Sequence, residues 1–273
     1  MTARPSDRDT PGGNGLRLAF GLLTAVRVGR LPAVDRRSAG AAMLLAPITA
    51  GPLLGLLWVG HAAVRAGTSA LLLSGLVVTA GVLYTRGMHL DGLADTADGL
   101  SAGYDAATSL RAMKASDVGP SGVASVVLAL LLQVSALSVL LPTGPGAVLA
   151  GVALLASRST LAWSCRQGVP AAQPHGLGAL VAGSVGRVSC GLAILVLLLG
   201  SAAVAAAAAA VLGAAAGWAS LGAVLTGAAG LLAALALRRR CVRRLGGITG
   251  DVLGAGVEVG LTAALVVAAL LQR

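Results

Sequence analysis

The feature that most limits what this chain can become is a series of long apolar runs, too many and too long for the core of a water-soluble domain. A bilayer-crossing helix needs about 20 mostly apolar residues. Seven segments approach or exceed that length: 41–64, 68–85, 121–141, 145–164, 189–213, 216–237 and 251–271. Charged residues make up only 11% of the chain, less than half of the roughly 25% typical of a soluble globule. A soluble enzyme is thereby excluded. The apolar mass is Leu, Val and Ala rather than aromatic, and 39 glycines accompany it. Small residues let membrane helices approach closely. The expected fold is all-α, a polytopic membrane-embedded helical bundle of about seven transmembrane helices forming a single domain over 1–273. Leu16–Val28 is shorter and carries Arg17 and Arg27, which predicts an N-terminal interfacial helix behind a disordered tail over 1–14. The first 37 residues hold seven arginines and no clean apolar core before a cleavage site, so no secretory signal is read there.

Basic residues give the orientation. With the N-terminus inside, Arg4, Arg8, Arg17, Arg27, Arg30, Arg36 and Arg37 lie on the inner side, followed by Arg86, Arg111, Lys114, Arg166 and Arg187. Arg238, Arg239, Arg240, Arg243 and Arg244 complete that set, while only Arg65 and Arg273 fall outside and Arg158 falls within a span. This strong bias is what the positive-inside rule predicts for inner segments 1–40, 86–120, 165–188 and 238–250. The net charge of +10 does not point to nucleic acid, because the cations are dispersed between apolar spans and no aromatic stacking platform accompanies them. Cys165, Cys190 and Cys241 show no paired spacing, so neither a disulfide framework nor a zinc site is read.

The acids carry the functional signal. Of ten, Asp91, Asp95, Asp98, Asp105 and Asp117 fall in one inner segment, and from Val118 to Gly250 there is none. On a helix, Asp91, Asp95 and Asp98 stand at i, i+4 and i+7, within about 60° of arc, and Asp105 would join them if the helix continued. Like charges stacked in this way destabilise a bare helix. A hard divalent cation compensates them, since oxygen ligands suit magnesium; the alternative is a merely solvated face. Nearby, Arg111 and Lys114 precede the turn Gly119-Pro120-Ser121-Gly122, and Arg243 and Arg244 precede Gly246, Gly247 and Asp251. Cations beside glycine amides at a helix start suit phosphate, with lipid anchoring as the other reading of the arginine cluster. Glu258, two turns into the last span, is costly there, and intramembrane carboxylates are usually functional. Metal-binding acids beside phosphate-binding cations on one face of a bundle indicate phosphoryl or phosphodiester transfer.

Four blocks resemble a known family. Met88-His89-Leu90-Asp91-Gly92-Leu93-Ala94-Asp95-Thr96-Ala97-Asp98-Gly99 is similar to the hallmark of the cobalamin synthases, the adenosylcobinamide-GDP ribazoletransferases. Met113–Gly122, Gln173-Pro174-His175-Gly176-Leu177-Gly178 and Arg243–Asp251 follow in the family's order, and the resemblance runs from about residue 15 to 271. It implies a magnesium-dependent enzyme that joins α-ribazole, or its 5′-phosphate, to adenosylcobinamide-GDP with release of GMP, the last step of nucleotide-loop assembly in vitamin B12. On that reading Asp91, Asp95, Asp98, Lys114 and Asp117 are catalytic, with Asp91, Asp95 and Asp98 holding Mg2+. His89, Arg111, Arg243, Arg244, Gly246, Gly247 and Asp251 bind substrate. The implied setting is the cytoplasmic membrane with the active site facing inward. The implied partners are the two small substrates and the lipid bilayer, with a homo-oligomer or other nucleotide-loop assembly enzymes as further contacts. A CDP-alcohol phosphotransferase performs parallel chemistry but wants an Arg soon after the first Asp-Gly, where this chain has Leu93 and Ala94. An ion-coupled transporter wants acids near the midplane of several spans.

Overall fold

A computed structural model describes residues 11–30, 34–103, 105–211 and 216–272. Among these the regular elements are helices α1 (Pro11–Leu23), α2 (Arg36–Leu45), α3 (Gly51–Arg65), α4 (Ala70–Tyr84), α5 (Met88–Ser101) and α6 (Ala106–Ala112), then α7 (Pro120–Leu140), α8 (Gly144–Ser164), α9 (Leu177–Val181), α10 (Arg187–Val211), α11 (Ala216–Leu245) and α12 (Gly250–Leu270). Two isolated bridges, Arg166 with Val185 and Ala171 with Ile248, are the extended pairings among the described residues. The fold is all-α.

Among the described residues six helices are long and apolar enough to cross a membrane, Arg36–Arg65, Pro120–Leu140, Gly144–Ser164, Arg187–Val211, Ala216–Leu245 and Gly250–Leu270, and the bent pair α4 and α5 makes a seventh if it counts as one span. The first joins α2 to α3 through the 3-10 turn Ala46–Ala50, where Pro47 sits at a helix start. The expected span at 68–85 takes a different form. Helix α4 has 15 residues, a rise of about 22 Å against a hydrocarbon core of about 30 Å. It then meets α5 at 86°. Arg86 and Gly87, both in the left-handed region (φ 56° and 70°), make that corner; a non-glycine residue there is held only because its surroundings over-determine it. Arg86 donates to the carbonyls of Gly21 and Leu22 at the end of α1. We take α4 as the spanning part of this pair, because α5 places three aspartates in 14 residues.

Helix α8 is the hub, buried along nearly its whole length. Around it, α7 and α10 turn broad apolar faces outward, with Leu128 and Leu131 on one and Val188, Val196 and Leu199 on the other, each more than half exposed. In water such faces would exceed the apolar patch a monomer tolerates; against lipid they cost nothing. Helix α11 runs two turns past its expected end to Leu245. Arg238 there is buried, donates to the Trp163 carbonyl and lies over the Trp163 ring, where Arg166 also sits. That arginine belongs to packing, not to the lipid surface. The N-terminal helix is α1, half-sunk into the bundle with Leu18, Ala19 and Leu23 buried beside Met43. Of the tail expected over 1–14, residues 1–10 lie outside the described residues, and α1 begins at Pro11.

Candidate active site

The three aspartates of α5 do share one helix, but each has its own surroundings. Gly92 lets α5 run antiparallel against the start of α12: a Cβ there would lie 2.6 Å from the Asp251 carbonyl oxygen, and one on Gly254 3.2 Å from the His89 backbone. That close approach brings Asp251 to the acid face. Asp91 is exposed, Asp95 partly buried. Burial, then the charges of Asp91, Asp251 and Asp98, push the Asp95 carboxyl up to about 6. The stacked charge read from the i, i+4, i+7 spacing is thus felt by its middle member, and α12 supplies a fourth carboxylate.

Asp98 is engaged differently. One of its oxygens accepts from Gly119 N at 2.7 Å and the other from Gly122 N at 2.8 Å. These are the first-turn amides of α7, which a helix start leaves without intrahelical partners. A Cβ on either glycine would run into the carboxylate. The glycine turn expected to cradle phosphate therefore receives the protein's own Asp98. The second turn is also committed. Gly246 takes a positive φ of 80°, and Gly247 lies against the backbone of Ala171 and Ala172. Ile248 N donates to Pro170 O and Ala172 N to Ile248 O, both at 3.0 Å.

Asp105 does not join the acid face. Helix α5 stops at Ser101, and Asp105 caps α6 by accepting from Thr108 N at 2.8 Å, a bond that lowers its pKa. A short polar side chain after Gly103 does better as an N-cap than as a further like charge. Arg111 is exposed and donates to Thr108 Oγ1 at 2.8 Å. Asp117 and Arg243 are exposed, and Arg244 is partly buried. His89 is buried, with Arg158 NH1 2.9 Å from its Nδ1.

What the fold brings together is a cavity of about 220 Å³ lined by Lys114 and Met113, by Gln173 and His175–Gly178, and by Ile248–Asp251. Three of the four sequence blocks meet on its wall, and α5 adjoins it through Asp251. Thr249 caps α12 by accepting from Val252 N at 3.2 Å, so the α12 N-terminus and its positive dipole end open into the cavity beside Lys114. Arg111, Asp117, Arg243, Arg244, Gly246, Gly247 and His89 are not among its lining residues. Gln173 and Thr249 are, and sequence reasoning gave neither a role; the only signal for Gln173 was its place in the third block. Among the described residues no three His, Cys, Asp or Glu side chains gather as a ready metal cage. The all-oxygen set around Asp95 still suits magnesium, which is commonly held by one or two carboxylates and completed by substrate phosphates.

Comparison with known proteins gives the family. The family model for cobalamin-5-phosphate synthase matches residues 15–269. An adenosylcobinamide-GDP ribazoletransferase of Nocardioides is 41% identical over 250 residues, covering 91% of this chain and 95% of the relative. That of Frankia casuarinae is 42% identical over 270 residues, covering 93% and 94%, and that of Stutzerimonas stutzeri 36% over 265, covering 93% and 97%. No solved structure matches the chain. The match runs from within α1 almost to the end of α12, taking in every element that lines the cavity, and the chain belongs to the cobalamin-5-phosphate synthase family.

Proposed function

We propose that this protein transfers the adenosylcobinamide-phosphate part of adenosylcobinamide-GDP to α-ribazole or its 5′-phosphate, releasing GMP and giving adenosylcobalamin or its 5′-phosphate. The observation that carries the reading is the convergence of Lys114, the Gln173–Gly178 loop and the Thr249–Asp251 helix start on one cavity beside the acid helix. The electrophile is a pyrophosphate, so the site has to hold negative charge at a reacting phosphorus. Lys114 and the amides of the α12 N-terminus hold the diphosphate by charge and hydrogen bonding. Asp91 and Asp95 hold magnesium; Asp98, the third carboxylate expected to do so, has both oxygens engaged by α7 and fixes the outer end of the acid face. When bound, the metal supplies charge neutralisation at the leaving phosphate oxygens. Asp251 sets the distance between acid helix and cavity through the Gly92 contact. The attacking group is a ribose hydroxyl, whose proton passes to solvent water as the new P–O bond forms, while GMP departs with the electron pair of the broken P–O bond.

The site belongs to the cytoplasmic side of the cell membrane on this reading, supported by the concentration of Lys and Arg on the segments at its end of the bundle. Cysteines introduced near Gly103 and Gly247 in right-side-out vesicles decide it: labelling by a membrane-impermeant thiol reagent from outside overturns the orientation. The activity test uses purified protein in nanodiscs with adenosylcobinamide-GDP, α-ribazole and magnesium. Cobalamin and GMP are expected in equal amounts. Release of GDP, or GMP without cobalamin, overturns the assignment.

A further inference from the structure

Two charges lie deep in the bundle, away from the cavity: Arg158 on α8 and Glu258 on α12, both buried. They are the only charged residues within the interiors of the seven apolar segments. Both line a separate cavity of about 70 Å³, opposite charges in one hollow without a direct ion-pair contact. Each is bonded onward. Gln133 of α7 donates through Nε2 to Glu258 Oε2 at 2.8 Å and to Thr262 Oγ1 at 3.1 Å. On the other side, Arg158 NH1 lies 2.9 Å from Nδ1 and 3.1 Å from Nε2 of His89. Two hydrogen-bonded links, α7 to α12 and α8 to α5, therefore flank this cavity, and the second ends on the residue two places before Asp91.

Helix α5 needs such a hold. It leaves α4 at 86° through a corner of two left-handed residues, so the chain upstream does not set its direction as a continuous helix would. Its contact with α12 runs over glycine at Gly92 and Gly254, beside the buried Leu93 and Ala255, and Asp98 ties its far end to α7, so the end that remains to be held is the one next to the corner. We propose that Arg158 and Glu258 form an intramembrane anchor that fixes α5 through His89, making these three the positioning residues of the acid face. The inference rests on the reading that α5 carries the chemistry. Bundle stability alone is a poor reason for the pair, because well-packed apolar residues of similar volume usually serve as well or better than a buried ion pair. What an apolar pair cannot do is hold the His89 ring at a fixed rotation.

The test uses Arg158→Met, Glu258→Gln, the double variant Arg158→Met/Glu258→Gln and His89→Phe in nanodiscs. Three readings are taken: melting temperature, hydrogen exchange of the 88–101 amides, and kcat and KM for each substrate. In the single variants at Arg158 and Glu258 the melting temperature falls, because one buried charge is left without its partner. In the double variant it recovers, whereas α5 exchange stays about tenfold faster than in the native protein. The kcat of the double variant stays down by ten- to a hundredfold or so, the scale on which misplacement of about 1 Å acts, with KM little changed. His89→Phe gives the same fast exchange and low kcat. Recovery of α5 protection and kcat together with melting temperature overturns the anchor and leaves a plain packing pair. A rise in KM alone for His89→Phe also overturns it, since His89 then binds substrate. Fast α5 exchange with native kcat upholds the anchor and instead takes the chemistry away from α5.

Discussion

The two ends of the bundle are made from the same helices but built differently. At the end that holds α5, the connections are long and fold onto one another: the 165–186 segment bridges to Val185 and to Ile248, and the α7 start is tied to Asp98. At the opposite end the links 66–69 and 141–143 are short, and a hollow of about 900 Å³ opens among Ala, Leu and Val of α8, α10 and α11, with His61, Arg65 and Gln272 at its margin. The cavity at the acid end holds about 220 Å³. Volume therefore ranks the ends in one order and chemistry in the other. The smaller cavity has a lysine, a helix N-terminus and neighbouring carboxylates, whereas the larger has side chains that suit lipid. The proposed diphosphate substrate and metal ion both call for fixed charge, which only the smaller of these two cavities offers beside carboxylates.

The sharpest way to break that contrast is to remove charge at one end and bulk at the other. Asp91→Asn and Asp95→Asn should each lower turnover by about a hundredfold or more, the size of lost electrostatic stabilisation at a reacting centre of about 3 kcal/mol. Trp218→Ala, at the margin of the large hollow, should leave turnover within about twofold, as surface substitutions commonly do. Turnover measured against magnesium concentration checks both. Native magnesium dependence in the two aspartate variants would return α5 to a solvated face.

Asp98→Asn separates chemistry from architecture within the acid end. Both carboxylate oxygens accept backbone N–H groups of α7, and an amide has one acceptor oxygen and presents an NH2 to the other donor. An unmet buried donor costs about 1–3 kcal/mol, so the melting temperature of the detergent-solubilised protein should fall, unlike that of Asp91→Asn. If Asp98→Asn melts like the native protein and loses only turnover, Asp98 is a metal ligand first and the α7 cap is incidental.

Lys114→Ala tests the cavity directly. Losing a charged hydrogen-bond donor to phosphate costs about 1.5 kcal/mol, which is about tenfold in affinity. The KM for adenosylcobinamide-GDP should rise by that factor while the KM for α-ribazole changes little. Equal rises in both would place Lys114 outside the diphosphate site.

These expectations differ from the sequence reading at identifiable places. The apolar runs fixed six spans to within a turn at most of their ends, because length and hydropathy decide insertion regardless of tertiary detail. Helix α11 ran on to Leu245 because arginines are good helix formers once outside the apolar zone. The corner at Arg86–Gly87 was not legible: no proline marks it, and a lone glycine is ordinary in a chain with so many. That Asp91, Asp95 and Asp98 share one helix was legible from spacing alone. The purpose of Gly119 and Gly122 was not, since a helix start prepared for an anion looks the same in sequence whether the anion is a substrate phosphate or an aspartate 21 residues away. Arg158 and Gln133 were unreadable for a similar reason, as their partners come from other spans.

The smallest effect belongs to Asp105, the one acid of the 91–105 run that the fold sets apart. It caps α6 through Thr108 N and is fully exposed. Asparagine caps helices as well as aspartate does, so Asp105→Asn should be silent in both turnover and melting. Asp105→Ala removes the cap and should lower the melting temperature slightly, with turnover within about twofold of native, as for other surface changes. The two substitutions differ in capping and agree in charge. A large loss of turnover in both would mean that the charge, and not the cap, is what matters, and would extend the acid face beyond the end of α5 at Ser101.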